Sequence, residues 1–261
     1  MKTVLVVALL LFLPDTSRRR SDEAVRGFLV SVSGEGVLRF DRDGKQVWQH
    51  KCEPYDAREL KGGRVLITER SAGRVMIVDA EGKVVWEKMG LSSPTDAELV
   101  SNGNVLVLEN GANRAVEVDR EGKVVWEVGG LSNPYDVDRL PGGNTIVADS
   151  GNNRLVEFDR AGKVVWEKTG LDFPNGVLRL PNGRTVFTTY TRGSVGEVDA
   201  KGELLWEHKI EDSVLYAPAA ENGAVWVADG KNGRAIKLSR SGERLATVEL
   251  KKAFVDMCFA R

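Results

Sequence analysis

One pattern, Asp-x-x-Gly-Lys-x-Val-Trp, constrains this chain more than any other feature. It stands at residues 41–48, 79–86, 119–126 and 159–166, recurs more loosely at 199–206, and survives as a remnant at 239–246, where Ala246 replaces the tryptophan. Trp48, Trp86, Trp126, Trp166 and Trp206 are therefore spaced by 38, 40, 40 and 40 residues. A self-similar period near forty means a ring or stack of small identical units, none able to bury its apolar face alone.

The unit holds four short strands. In the clearest copy, residues 134–140, 145–149, 154–159 and 164–167 are rich in alternating and β-branched residues, and Gly/Asn/Pro clusters separate them. Asp159 opens the last hairpin with a side-chain acceptor, and Gly162 closes it with a residue free to take positive φ. No copy contains a helix-length periodic segment. Four strands per forty residues predict blades, and the turn glycines at 44, 82, 122, 162, 202 and 242 count six. The expectation is an all-β, six-bladed β-propeller over residues 25–261, with four-stranded antiparallel blades lettered A to D from the axis outward. The first copy lacks a strand A, and residues 253–260 stand in strand A register after the last. The C-terminal strand is expected to complete blade 1 and close the ring, removing open sheet edges.

Lys2 followed by the apolar run from Val4 to Leu13 is too short to span a bilayer, where about 20 residues are needed. Residues 1–24 read as a signal peptide or apolar N-terminal segment, which places the propeller outside the cytoplasm. Charged residues make up 29% of the chain with a net charge of -1 and interleaved signs, which excludes the basic stripe of a nucleic-acid binder. Two cysteines, Cys52 and Cys258, make no disulfide framework.

Comparing copies separates scaffold from candidate site. Strand B ends and strand C begins with opposite charges in four blades, as Glu69/Arg74, Glu109/Arg114, Asp149/Arg154 and Asp229/Arg234. In blade 5 both charges vanish together (Thr189, Ser194), as they should if each exists to satisfy the other. His50 and His208 each follow a strand D tryptophan by two residues and read as solvated edge residues. On the axial strand the fourth position is Asp256, Asp56, Asp96 and Asp136 in blades 1–4, then Gly176 and Tyr216. The aspartates either line a site or fasten backbone N–H groups. All four tyrosines (55, 135, 190, 216) fall at this end of the ring. Tyr135, Asp136, Asn175, Tyr190 and Tyr216 are the candidate ligand-binding residues, on the rim of blades 4–6.

The Asp-x-x-Gly-Lys-x-x-Trp units resemble the repeats of quinoprotein-type (PQQ-like) propellers, and residues 133–136 with 148–154 are similar to NHL repeats; together these cover about residues 27–261. Both resemblances imply a propeller and no shared activity. A quinone cofactor is one alternative they imply, although PQQ-dependent dehydrogenases have eight blades and a vicinal cysteine pair that this chain lacks. Residues 173–176 with 180–183 are similar to a segment of SMP-30/gluconolactonase propellers. That resemblance implies a hydrolase whose divalent cation, calcium or another, is held by Asn175 with Asp136 or Asp256, though Tyr216 stands where the family has an aspartate. The reading favoured overall is a monomeric, non-catalytic binding module without a cofactor, taking a protein or small molecule at its central rim.

Overall fold

The computed structural model describes residues 27–41, 46–211, 213, 215–221, 223–232 and 234–249. It is a six-bladed propeller. Blade 1 has three described strands, Gly27–Val32, Gly36–Asp41 and Gln46–His50. Blade 2 comprises Asp56–Glu59, Val65–Glu69, Arg74–Val78 and Val84–Lys88. Blade 3 comprises Pro94–Leu99, Val105–Glu109, Arg114–Val118 and Val124–Val128. Blade 4 is Asp136–Arg139, Thr145–Asp149, Arg154–Phe158 and Val164–Thr169. Blade 5 is Pro174–Arg179, Thr185–Thr189, Ser194–Val198 and Leu204–Lys209. Blade 6 is Leu215–Glu221, Ala224–Asp229, Arg234–Leu238 and Arg244–Glu249. Every described pairing is antiparallel between strands consecutive in sequence. Blade 1 does begin at strand B, while the expected closing strand at 253–260, with Asp256 and Cys258, lies outside the described residues. So does the N-terminal segment 1–24. No helix among the described residues is long and apolar enough to cross a membrane.

The strand C–D hairpins work as their sequence predicts. Asp79, Asp119, Asp159 and Asp199 each accept two backbone N–H bonds within their own turn, for example Ala161 N and Lys163 N on Asp159 Oδ1, both at 2.9 Å. Gly162 follows at φ +81°, which a side chain would disfavour.

The core lies between blades rather than within one. Leu106, Leu108 and Ala115 of blade 3 pack with Val137, Val147, Val156 and Phe158 of blade 4, and the same two-blade clusters recur around the ring. Trp48, Trp86, Trp126, Trp166 and Trp206 each lie half-buried against one of these seams. The indole N–H groups of Trp86 and Trp126 donate across the seam to the carbonyls of Arg120 and Arg160, at 3.0 Å. His50 and His208 depart from the sequence expectation. They are half-buried and stack on Trp48 and Trp206, with centroids 6.1 and 5.3 Å apart, because the neighbouring indole offers an apolar face that water would otherwise cover.

The four predicted charge pairs form. Arg74, Arg114, Arg154 and Arg234 donate through Nε to Glu69, Glu109, Asp149 and Asp229 at 2.6–2.7 Å. The second carboxylate oxygen has its own task in three of them, accepting the N–H of Glu53, Ser92 or Ser132 in the segment that leads into strand A. In blade 5 Thr189 and Ser194 replace the pair with a hydroxyl–hydroxyl bond of 2.8 Å.

Candidate functional site

Two layers meet at the channel end where strand A begins. The lower layer is acidic and closed on itself. Asp96 Oδ2 accepts Val137 N at 2.9 Å, and Asp136 Oδ2 accepts Val177 N at 2.7 Å, so each aspartate fastens the axial strand of the next blade. Amid them sits Arg58, the residue that sequence comparison passed over. It occupies the repeat position of Glu98 and Asp138 with the opposite charge. Its Nη2 lies 2.6 and 2.7 Å from the two oxygens of Asp96, and Asp56, Asp138 and Asp136 follow at 3.6, 3.5 and 3.8 Å. Burial alone would push the guanidinium toward its neutral form, but Asp96, Asp56 and Asp138 hold its proton more tightly than usual.

Asn175 belongs to this layer too. It is buried, donates to Leu215 O at 2.7 Å and accepts from Thr188 Oγ1 at 3.1 Å. As a donor set for a divalent cation the group is poor. A guanidinium already stands among the carboxylates, Asp136 holds a backbone amide, and Asn175 ties blade 5 to blade 6. Among the described residues no group of three or more His, Cys, Asp or Glu is arranged to hold a metal ion.

The upper layer is aromatic. Tyr135 and Phe173 lie 5.8 Å apart at a 59° tilt, and Phe173 and Tyr190 lie 6.0 Å apart at 63°. On the other side of Tyr135, Arg70 places its guanidinium 5.9 Å from that ring and 5.2 Å from the ring of Tyr55. Tyr55, Arg70, Tyr135, Phe173 and Tyr190 thus form one arc from blade 2 to blade 5. The structure brings the predicted Tyr135 and Tyr190 together through Phe173; Tyr216 lies on the axial strand of blade 6, with its side chain outside the described residues.

Repeat positions explain the arc. The residue after strand B is Arg70, Asn110, Ser150 and Tyr190 in blades 2 to 5. Asn110 and Ser150 fasten to the next blade, donating to the carbonyls of Pro134 and Pro174. In blades 2 and 5 large side chains stand there instead, and Tyr190 is 45% exposed. Phe173 takes the place of Ser93 and Asn133, all three at positive φ (+53°, +48° and +47°). Asparagine tolerates that conformation; a phenylalanine there is strained. The signal in the sequence was this column of unlike residues.

Among solved structures, the chain is similar to a protein of unknown function from Bacteroides caccae (16% identity, TM-score 0.71, covering 90% of this chain and 98% of that one). It is similar to a chain of a nidogen/laminin complex (15%, TM-score 0.72, 90% and 98%). It is also similar to virginiamycin B lyase from Staphylococcus aureus (21%, TM-score 0.63, 76% and 70%), and to a catalytically inactive variant of that lyase with quinupristin (17%, TM-score 0.66, 87% and 85%). At these identities the likeness is one of fold. No curated protein matches the sequence. The family model described as outer membrane protein assembly factor BamB matches residues 33–177 and 152–250, nearly the whole propeller. The chain belongs to that PQQ-like, BamB-type propeller family.

Proposed function

We propose that this chain is a non-catalytic, extracytoplasmic binding module that takes a peptide segment of a partner protein on the rim formed by Tyr135, Phe173 and Tyr190, with Asp136 and Asn175 as the floor and Tyr216, on the axial strand of blade 6, as a further candidate contact. One observation carries the reading: at the rim the repeat replaces the small fasteners Asn110 and Ser150 with Arg70 and Tyr190 and accepts a strained phenylalanine, which together make an arc of large side chains. Backbone strain persists where the surroundings hold it in place, and it gathers at sites of function. Tyrosine and arginine are the residues most often dominant in protein recognition. The family description, an outer membrane assembly factor, and the apolar segment after Lys2 both favour work outside the cytoplasm.

Hydrolysis at a divalent cation draws no support from the donor set, where Arg58 already neutralises part of the acidic layer. Lyase chemistry draws little more: both histidines of the chain stack on tryptophans of the outer strands rather than at the channel mouth.

Panning a displayed random-peptide library on the purified propeller tests the proposal. The wild-type protein is expected to enrich a consensus, and Tyr135→Ala with Tyr190→Ala to lose it, with the urea midpoint nearly unmoved. An unchanged consensus on the double variant would refute the rim as the site.

A further inference from the structure

Beside the aromatic arc, a cleft of about 410 Å³ opens between blades 1, 2 and 3, lined by Ser33, Glu53, Tyr55, Arg70, Ser71 and Ser93 among others. We propose that this cleft is a carboxylate receptor, in which Arg70 grips the carboxylate of a peptide ligand while the ligand's aromatic group lies on the Tyr55–Tyr135–Phe173 side. The inference rests on the rim reading and names the chemistry that the rim selects.

The partners of Arg70 are the first argument. The guanidiniums that cross the blade seams or the channel have acidic partners: Arg39 with Glu59, Arg58 with Asp96, Arg139 with Glu117, Arg179 with Glu157, Arg240 with Glu197. Arg70 is half-buried, yet among the described residues no carboxylate pairs with it. Among the described residues its side chain has one hydrogen-bond partner, the neutral Asn110 Oδ1, reached by Nη2 at 3.2 Å. A guanidinium carries five N–H donors, so most of the fork has no partner among the described residues.

Orientation is the second argument. The guanidinium carbon lies over the ring of Tyr55 at 5.2 Å and over that of Tyr135 at 5.9 Å, and Nη2 is tied to Asn110 Oδ1, so three contacts restrict where the fork can point. A planar fork restricted in this way, with donors left over, matches a planar carboxylate, which takes two parallel N–H bonds from it. Ser33, Ser71 and Ser93 add hydroxyls to the wall. Glu53 is the acidic residue among those named, and its Oε2 is turned to the N–H of Gly34 at 3.3 Å. Its presence disfavours a doubly charged phosphate more than a singly charged carboxylate.

The third argument is comparative. Asn110, at the same repeat position, fastens blade 3 to blade 4. Arg70 reaches the next blade too, through Asn110 Oδ1, but brings to that contact a charged fork beside the rings of Tyr55 and Tyr135.

The probe is N-acetylphenylalanine, compared with its amide, on the full propeller followed by NMR. The acid is expected to shift the Arg70 Nε–H resonance and to bind about tenfold or more tightly than the amide, since a hydrogen bond to a charged group is at stake. Arg70→Gln should erase the preference for the acid, and Arg70→Lys, which keeps the charge and loses the fork, should recover only part of it. Equal binding of acid and amide, no shift up to the solubility limit, or an undiminished preference in Arg70→Gln would overturn the assignment. Displacement of the probe by inorganic phosphate at equal concentration would mark a general anion site and overturn it as well. Should the Tyr135→Ala/Tyr190→Ala protein lose its peptide consensus while acid and amide bind alike, the rim reading stands and the carboxylate receptor falls.

Discussion

At the scale of single residues, Arg58 and Cys52 show how burial sets chemistry. Arg58 offsets part of the repulsion among Asp56, Asp96, Asp136 and Asp138, none of which lies far from its guanidinium. Replacing it by methionine keeps much of the stem volume and leaves the carboxylates facing one another. The expected loss is about 3–5 kcal/mol in urea unfolding at neutral pH, the usual result of breaking a buried pair from one side. A loss below about 1 kcal/mol would mean that Arg58 acts by packing alone. Cys52 is a free, half-buried thiol that burial and the charge of Glu69 push up to about 12. Since the thiolate is the reactive form, its chemistry at neutral pH is suppressed.

At the scale of elements, the blades are joined by ionic seams whose pH response can be stated. Glu117 on strand C of blade 3 is buried, which alone would raise its carboxyl; hydrogen bonds from Asn102, Asn104 and Arg160 and the charge of Arg139 outweigh that and hold it below its ordinary 4.5. A carboxyl held low in the folded state contributes stability that is present above 4.5 and lost as pH falls toward its folded value. Asp229 in blade 6, held by Ser213, Asn232 and Arg234 against the opposing effect of burial, acts with the same sign below 3.8. Glu117→Gln is therefore expected to lower stability at pH 7 and to flatten the acid limb of the stability–pH curve; an acid limb as steep as in wild type would show that the seam titrates elsewhere. The repeat made much of this scaffold legible. Glu69/Arg74 and its counterparts could be paired because both partners disappear together in blade 5. The hairpin aspartates were legible because turn chemistry is local. Arg58 was not, since its partners lie 38 and 78 residues away across the channel and only the closed ring brings them together. Arg70 and Phe173 do not follow from the tyrosines that mark the rim; they stand out in two repeat columns read across blades, the residue after strand B for Arg70 and the residue before the strand A proline for Phe173.

At the scale of the whole molecule, two surfaces compete for the role of contact face. One is the rim, with Tyr190 exposed and Arg70 held in the cleft beside it. The other is the outer edge, where strand D of successive blades exposes Val47, Val85, Val125, Val165, Leu205 and Leu245. That belt repeats in every blade, so it has no preferred direction around the ring, and scattered exposed aliphatics are ordinary on a protein surface. The rim differs from blade to blade, as a surface that discriminates among partners must. Hydrogen exchange followed by mass spectrometry, with and without a peptide drawn from the displayed library, separates the two most directly. The account predicts slowed exchange in the segments around residues 53–55, 70–73, 133–135 and 173–175, with the outer strands unchanged. Protection of the outer strands at 84–88, 124–128 and 164–169, with the rim exchanging as before, would contradict it.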